Sequence, residues 1–326
     1  MHTTTRIPMA SKDTSASVKN LLRENTLLLA IVLLLAVAGS FAPAIFKPEN
    51  LANMALQFAP LGIVVLGQTL VILVRGLDLS VSSVMATSAV IATSFSGHNA
   101  DLVWILPLAL GTGALVGVAN GLLVTKRNVS PFLATLATMI MLQGARNAWT
   151  QGAPSGNVPP LLRDIGAGMT QGIPNNAFPL IGIAVLAYVL LHQSTFGRRM
   201  YLVGGSPNAA RLVGIAVDRV TITAYVLSGV LAAISGVILS GYVSVVDNWV
   251  GKNFELDSIV AAVMGGIALS GGKGGVPGAL LGAAILVLLS NAVVIVGLPI
   301  HIQLVMKGFI IVAAAALYVA KSKVRS

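Results

Sequence analysis

The chain has 326 residues, of which 56% are hydrophobic and only 9% are charged, against about 25% charged residues in an average globular protein. So little charge cannot cover the surface of a soluble enzyme of this size, and so much apolar content excludes a disordered chain. The mean hydropathy of +0.90 indicates a polytopic membrane protein, and 34 glycines with 5% aromatic residues favour packed helices over a β-barrel.

Ten apolar segments are candidate membrane spans, because a helix needs about 20 apolar residues to cross a bilayer. Eight are runs of 18 or more residues without Asp, Glu, Lys or Arg: 26–46, 50–74, 79–100, 102–125, 128–145, 165–197, 220–246 and 274–306. Two more, 258–272 and 308–320, are shorter or interrupted. The sequence therefore predicts an all-α, polytopic integral membrane bundle of about ten transmembrane helices.

The two ends of the chain are predicted to be short polar tails, residues 1–25 and 321–326, on either side of a transmembrane domain at 26–320. The first apolar run has 21 residues, which is longer than the about 7–15 residues of a cleavable signal peptide. We therefore interpret it as an uncleaved first span.

Orientation follows from the positive-inside rule. With the N-terminus inside and ten alternating spans, 15 of the 20 basic residues fall inside: Arg6, Lys12, Lys19, Arg23, Arg75, Lys126, Arg127, Arg198, Arg199, Arg211, Arg219, Lys273, Lys321, Lys323 and Arg325. Trp104, Trp149 and Trp249 fall near the outer interface, where such rings anchor helices. Both termini and residues 195–219 are predicted to be cytoplasmic, and residues 151–175 periplasmic.

Two aspartates, Asp78 and Asp257, each stand at the start of an apolar segment. One interpretation is helix N-capping by the carboxylate. The other is a discontinuous helix that lines a substrate path, which the 15-residue length of 258–272 favours at Asp257. The resemblance of 77–80 to 256–258, five spans apart, also hints at an inverted repeat.

Two stripes of glycine have a spacing of four residues, which lets helix backbones approach closely. Packing within the chain is the favoured interpretation, and a subunit interface is the alternative. The stripes consist of Gly113, Gly117 and Gly121, and of Gly274, Gly278 and Gly282.

Two basic residues, Arg146 and Lys307, fall within apolar spans. A charge at a helix centre costs about 2.5–3.5 kcal/mol on insertion scales. Snorkelling to the outer face is slightly favoured for both over a role in a substrate path.

The inside segment 195–219 contains helix signals. Ser206 and Pro207 suit an N-cap and a first helical position, and a short amphipathic helix is predicted over 209–213, ending at Gly214. Because so short a helix is unstable alone, it needs a packing surface. We favour a docking element over a purely structural loop.

Catalytic and metal-binding signatures are missing from the sequence. The glycine-rich segment 266–274 lacks the Gly-x-x-x-x-Gly-Lys-Ser/Thr pattern of a phosphate loop. The four histidines are scattered and there is no cysteine, so neither a metal site nor a catalytic triad is suggested. The sequence predicts a chain that is not an enzyme and binds no cofactor itself.

Several segments resemble the permeases of ribose-type ABC importers. The inside segment resembles the family pattern Gly-Arg-x-x-Tyr-x-x-Gly-Gly followed by Ala-Ala-Arg-x-x-Gly-Ile, here with one fewer residue between the two parts. Residues 75–83 resemble Gly-Gly-Ile-Asp-Leu-Ser-Val-Gly-Ser, with Arg75 in place of the first glycine. Residues 120–126, 131–136, 255–272 and 307–308 also match.

The resemblance implies a permease in the bacterial inner membrane, in contact with lipid and dimerised with a copy or a paralogue. A cytoplasmic ABC ATPase would hydrolyse ATP, and a periplasmic binding protein would deliver a ribose-like sugar or autoinducer-2. No nucleic acid is implied.

A path for a polar sugar is expected along Asp78, Ser80, Phe254 and Asp257. Coupling to the ATPase is expected at Gly197, Arg198, Tyr201, Gly204, Gly205, Ala209, Ala210, Arg211, Leu212 and Gly214. Three other classes are disfavoured. A secondary transporter usually needs ionisable residues inside its spans, and here only Arg146 and Lys307 qualify, with no acidic residue in mid-span. The filter-like repeat of a channel and the clustered catalytic groups of a membrane enzyme are absent from the sequence.

Overall fold

The computed structural model describes residues 39–40, 43–299, 301–305 and 307–309. The predicted tails 1–25 and 321–326 lie outside the described residues. So do most of the first predicted span, 26–46, and of the last, 308–320.

The described chain is helical, with one small hairpin. The helices are α1 (Pro48–Leu73), α2 (Val81–Thr93), α3 (Leu102–Lys126), α4 (Pro131–Thr150), α5 (Pro160–Ala167), α6 (Ala177–His192), α7 (Thr195–Gly205), α8 (Pro207–Leu212), α9 (Val217–Val243), α10 (Phe254–Met264) and α11 (Val276–Ile295). Short 3-10 turns cover Pro43–Phe46 and Asn99–Asp101, and residues 301–305 and 307–309 are helical. Strands β1 (Met169–Thr170) and β2 (Ile173–Pro174) pair antiparallel.

Four helices are long and apolar enough to cross a membrane: Pro48–Leu73, Asn99–Lys126, Val217–Val243 and Val276–Ile295. A fifth span results if Ala177–His192 and Thr195–Gly205, which are bent by 68°, count as one. The expectation of an all-α membrane bundle is therefore confirmed, whereas ten full-length spans are not present among the described residues.

Two predicted spans, 79–100 and 165–197, are shorter in the structure than in the sequence. The run 79–100 holds a helix of only 13 residues, α2. The run 165–197 begins with the end of α5 and the β hairpin, and its helix starts only at Ala177. A run without charged residues can still contain turns made of glycine and polar residues, as at Gln171 and Gly172, which both have positive φ.

The core is organised around α9, which packs against α3, α1 and α2. Three glycines of α3, Gly113, Gly117 and Gly121, lie against the backbone of α9 so closely that an added Cβ would meet main-chain atoms of Gly229, Tyr225 and Ile222. Gly278 and Gly282 of α11 lie equally close to α10, while Gly274 precedes α11. Packing within the chain is confirmed for these five glycines.

The outer surface of the bundle is apolar. Large hydrophobic side chains such as Leu115, Leu186 and Trp104 are more than 60% exposed. An apolar surface of this extent marks contact with lipid or with another protein, as expected for a membrane bundle.

Candidate functional site

A cavity of about 400 Å³ lies between α1, α9, α10, α11 and residues 301–309. Its polar lining consists of Gln57, Tyr242, Asp257, Ser290, Gln303 and Lys307, and Phe254 contributes an aromatic face. A cavity with apolar walls and a few convergent polar groups is the usual form of a small-molecule site. We refer to it below as the cavity.

An ion pair stands on the wall of the cavity. The Nζ of Lys307 lies 2.7 Å from Oδ1 of Asp257 and donates to its Oδ2 at 2.9 Å. The side chains are only 14% and 15% exposed, so each charge depends on the other in a low-dielectric setting. Lys307 therefore does not snorkel, which corrects the favoured interpretation.

Asp257 does not cap α10. It lies within the first turn of the helix, whose N-cap residue is Asn253 and has no side-chain capping bond. The carboxylate is directed to Lys307 instead. The capping interpretation is wrong at this position, because a partner 50 residues away along the chain outcompetes the helix backbone.

Asp78 is buried in a different setting, on the non-helical segment between α1 and α2, with 1% of its surface exposed. Its Oδ1 accepts from the backbone N–H of Ser80 at 3.0 Å and from the Ser80 hydroxyl at 2.5 Å, and its Oδ2 accepts from the Ser228 hydroxyl at 3.0 Å. The residue at the N-cap position of α2 is Ser80, which makes no side-chain capping bond. Asp78 therefore does not hold the N-cap position itself, but its carboxylate does accept one backbone N–H at the start of α2, that of Ser80, as the capping interpretation expected.

The hydroxyl of Ser80 extends this cluster into two neighbouring helices. Asn120 of α3 donates to it at 2.9 Å, and the Thr138 hydroxyl of α4 donates to the Asn120 side-chain oxygen at 2.7 Å. The structure thus brings Asp78 and Ser80 together with each other, whereas Phe254 and Asp257 meet at the cavity.

Arg146 is the second predicted snorkelling residue, and it too is buried, with 4% of its surface exposed. Its guanidinium donates to the carbonyl of Ser83, the hydroxyl of Thr87 and the carbonyl of Asn248 at 3.2, 3.2 and 2.9 Å. Snorkelling is wrong here because three acceptors from neighbouring segments bind the two terminal nitrogens of the guanidinium inside the bundle, while Nε has no partner among the described residues.

A second, smaller cavity of about 130 Å³ lies beside Arg146. Lys252 and Glu255 also line it. Glu255 is two residues from Asp257 on the same helix and faces this other space. Asp257 and Glu255, both at the start of α10, therefore line different cavities.

The segment 195–219 is more helical than predicted. Thr195–Gly205 forms α7, capped by Ser194, whose hydroxyl accepts from the N–H of Gly197 at 3.0 Å. Met200 and Val203 are fully buried and Phe196 packs against the same core cluster, so a helical apolar face anchors this segment. The sequence analysis predicted a helix only over 209–213 of this inside segment, so α7 is a second helix that it missed.

The short helix after Ser206 is confirmed, with shifted bounds. Ser206 is the N-cap and accepts from the N–H of Ala209 at 3.3 Å. Pro207 is the first residue of α8, which ends at Leu212 rather than at Val213. Gly214 follows with φ of +80°, a left-handed conformation that glycine adopts without steric cost.

A tight contact joins the end of α1 to the end of α7 and to the loop before α11. We call it the glycine junction and define it as Leu73, Arg75, Gly204, Gly205, Gly271 and Gly272. The N–H of Gly272 donates to the carbonyl of Leu73 at 3.0 Å, and a Cβ on Gly204 would collide with main-chain atoms of Leu73 and Gly272. Nearby, the Tyr201 hydroxyl donates to the carbonyl of Gly274 at 2.8 Å.

Arg75 explains why the resembling family pattern has glycine at this position. Its backbone φ is +67°, a region that side chains other than glycine rarely occupy. The guanidinium compensates by donating to the carbonyls of Gly204 and Gly205 at 2.7 and 2.6 Å. An arginine is thus accommodated where a glycine would be unstrained.

The tip of α8 exposes apolar side chains. Leu212 is 90% exposed and Val213 71%, while Ala210 is buried. Arg211 lies 3.5 Å from Asp218, which also pairs with Lys126 at 2.6 Å. An exposed apolar pair beside a basic side chain is a surface that another protein can cover.

Sequence reasoning missed four polar residues of the cavity: Gln57, Tyr242, Ser290 and Gln303. The signal that could have found them is their position inside otherwise apolar runs, because burying a polar side chain in a membrane span costs free energy and such residues are usually functional. Which of them would face a common space depended on helix packing that the sequence pattern does not encode.

The chain matches the family model described as "Branched-chain amino acid transport system / permease component" over residues 50–315. It is 37% identical over 291 residues to the ribose import permease protein RbsC of Bacillus subtilis, covering 89% of this chain and 90% of the relative. It is 36% identical over 298 residues to the protein of the same name from Escherichia coli, with coverages of 90% and 92%.

A third relative is the autoinducer 2 import system permease protein LsrC of Klebsiella pneumoniae. Identity is 32% over 277 residues, covering 85% of this chain and 80% of the relative. No solved structure matches the chain significantly.

Proposed function

The chain belongs to the family of branched-chain amino acid transport system permease components, and we propose that it forms the membrane path of an ABC importer for a monosaccharide. The observation that carries this proposal is identity of 36–37% to two ribose import permeases over about nine-tenths of both chains. A relationship over the whole length means that the fold, and not a shared local motif, is common to these proteins.

The cavity supports a polar solute. Phe254 supplies a ring face, and Asp257, Lys307 and Gln57 supply hydrogen-bonding groups. Rings and charged or amide groups together suit a sugar, which presents apolar faces and a rim of hydroxyls. We therefore propose that Phe254 and Asp257 line the translocation path.

We include Asp78 and Ser80 in the proposed path; both lie on the non-helical segment between α1 and α2. Both are buried in this conformation. A passing solute would therefore reach them only after α2 and α9 separate at Ser228, whose hydroxyl bonds to Asp78.

The exposed tip of α8 supports coupling to an ATPase. Leu212 and Val213 present apolar surface, and Arg211 presents a charge. We propose that a cytoplasmic ABC ATPase covers this tip and that α7 and the glycine junction connect it to α1. ATP hydrolysis is assigned to that partner and not to this chain.

The proposed assembly contains a second permease, either a copy or a paralogue, and a periplasmic binding protein that delivers the solute. The proposed topology has ten spans, of which the first and last lie mostly outside the described residues, with both termini cytoplasmic in a bacterial inner membrane. The sequence resemblance of residues 77–80 to 256–258, five spans apart, is the support for an inverted repeat.

A second candidate solute is autoinducer-2, favoured by the 32% identity to an autoinducer 2 permease. Both candidates are small polar solutes, so the same cavity chemistry serves either.

The function is tested by reconstituting the permease in proteoliposomes with its genome-neighbour ATPase and binding protein. Uptake of radiolabelled ribose should require all three proteins and ATP. Uptake that proceeds without the ATPase, driven by a proton or sodium gradient, would contradict the proposal. Uptake of autoinducer-2 but not of ribose would establish the second candidate.

A further inference from the structure

The charges that line the cavity cancel. Asp257 and Lys307 form one ion pair, and the other polar residues of the lining, Gln57, Tyr242, Ser290 and Gln303, are uncharged amides or hydroxyls. A solute that binds there therefore meets a neutral set of donors and acceptors. This balance differs from the second cavity, where Arg146, Lys252 and Glu255 leave a net positive charge.

The ion pair keeps bonding capacity that the protein does not use. Oδ1 of Asp257 lies close to Lys307 but is a buried atom that accepts no well-oriented hydrogen bond. The ammonium of lysine has three donors, and the carboxylate occupies at most two of them. Hydroxyl groups fit this arrangement, because a solute hydroxyl can accept from the donor of Lys307 that the carboxylate leaves free.

The cavity also fits a small solute in size and shape. At about 400 Å³ it lies at the small end of the range for ligand sites, roughly 300–1,000 Å³. Phe254 and Leu286 contribute apolar surface to a lining that also holds the polar groups. A ring with hydroxyls on its rim matches this mixed lining better than a uniformly polar ion would.

We propose that the cavity is a solute site of the permease itself, selective for neutral polyhydroxylated solutes, in which the Asp257–Lys307 pair binds solute hydroxyls and rejects charged analogues. The inference rests on the proposed function and deepens it by naming the residues that select the solute by its charge. Rejection follows because the paired charges leave no free counter-charge for a charged solute, which also loses part of its hydration on entering the cavity.

The absence of cysteine from the chain allows a direct probe. A Ser290→Cys substitution places one thiol on the cavity wall. In the reconstituted permease–ATPase complex, its rates of modification by a sulfonate-bearing and a trimethylammonium-bearing methanethiosulfonate report the local potential. D-ribose at saturating concentration should slow both reactions at least severalfold, because the bound solute occupies the space beside residue 290.

Charge selection is tested by neutralising one member of the pair in the Ser290→Cys background. Lys307→Gln should shift the ratio of the two rates about tenfold towards the cationic reagent, since one unpaired charge at short range is worth about that much in a medium of intermediate dielectric. Asp257→Asn should shift it about as far in the opposite direction. The double variant should return the ratio to within about threefold of its starting value, because both shifts have the same Coulombic origin.

Matched controls lie on the second cavity. Glu255→Gln removes an acid two residues from Asp257, and Lys252→Gln removes a lysine, yet both residues line the other space. Neither should change the ratio or the protection by ribose. Equal shifts in these controls would mean that the reagents sense the general field of the protein and would overturn the proposal.

The inference and the proposed function fail separately. If ribose uptake with the ATPase and binding protein is normal but ribose never protects the thiol, or the thiol does not react, the cavity is not a solute site and the transport function stands. If no uptake occurs with any monosaccharide, the proposed function itself fails. Protection together with opposite shifts for the two single variants supports the solute site.

Discussion

The cavity lies beside the middle of α1 and the glycine junction lies at its C-terminal end, and the two are built from opposite kinds of residue. Gln57 lines the cavity and Leu73 joins the junction; 16 residues of helix put them about 24 Å apart along the axis. The cavity is surrounded by side chains that keep unused bonding capacity. The junction is made of backbone atoms in direct contact, with no room for a single added methyl group at Gly204.

This difference fits the two tasks proposed for these regions, solute passage and coupling. A region that admits and releases a solute needs space and side chains that can exchange partners. A region that transmits movement from α7 and α8 to α1 needs contacts that do not deform, because close-packed interiors respond as discrete units. Substitutions should therefore affect folding most at the junction and solute handling most at the cavity.

The largest expected effect is at Gly204. Gly204→Val should prevent recovery of folded permease from the membrane, because its Cβ would meet main-chain atoms of Leu73 and Gly272 that cannot move independently. The matched control is Gly205→Val, where nothing lies within 4 Å of an added Cβ. Fluorescence size-exclusion profiles of the two variants test this, and equal yields would refute the rigid junction.

The next effect is at the ion pair. Asp257→Ala should lower the free energy of unfolding by about 3 kcal/mol, because Lys307 is left unpaired in a mostly buried position. The neutral double variant, Asp257→Asn with Lys307→Gln, should lose less free energy of unfolding than either Asp257→Ala or Lys307→Ala. Thermal unfolding in detergent gives the comparison, and additive losses would show that the two residues do not interact.

A smaller effect is expected at Arg75, where strain and hydrogen bonds oppose each other. Arg75→Ala loses both bonds to Gly204 and Gly205 and keeps the unfavourable φ, whereas Arg75→Gly loses the bonds and removes the strain. The glycine variant should therefore be more stable than the alanine variant by about 1 kcal/mol. The reverse order in thermal unfolding would contradict the assigned backbone conformation.

The smallest effect is expected at Asp78. Asp78→Asn keeps an oxygen that can accept from Ser80 and a polar group that can bond to Ser228, so it should cost about 1 kcal/mol or less. Asp78→Leu should cost more, since it leaves buried hydroxyls without an acceptor. If Asp78→Asn also keeps full uptake per folded molecule, the residue holds the break between α1 and α2 and does not take part in the path.

Two aspartates show how far the sequence could predict this molecule. Leu77–Ser80 and 256–258 look alike in the sequence, and the same alternatives applied to both. In the structure one carboxylate is held by hydroxyls from Ser80 and Ser228, and the other by an ammonium from Lys307. Ser228 lies 150 residues from Asp78 along the chain, and Lys307 lies 50 residues from Asp257. Only the packing of distant helices therefore decides whether each aspartate caps a helix, is buried or lines a site.

Local signals performed well where the physics is local. The Ser206–Pro207 helix start and the packing of the spaced glycines both hold in the structure. Span lengths were overestimated because absence of charge is a weaker condition than continuous helix, as the 13-residue α2 shows. Arg146 and Lys307 could not be placed by pattern, since whether a basic residue snorkels depends on the acceptors that other segments bring to it.

The most direct test of the whole account measures ATP hydrolysis and solute uptake together in proteoliposomes with ATPase and binding protein. Arg211→Glu and Leu212→Asp at the α8 tip should leave membrane insertion intact, because both side chains are exposed. They should abolish the stimulation of ATP hydrolysis by loaded binding protein, and uptake with it. Unchanged stimulation and unchanged capture of the ATPase by both variants would contradict the assignment of this chain's α8 as the coupling element of an ABC permease.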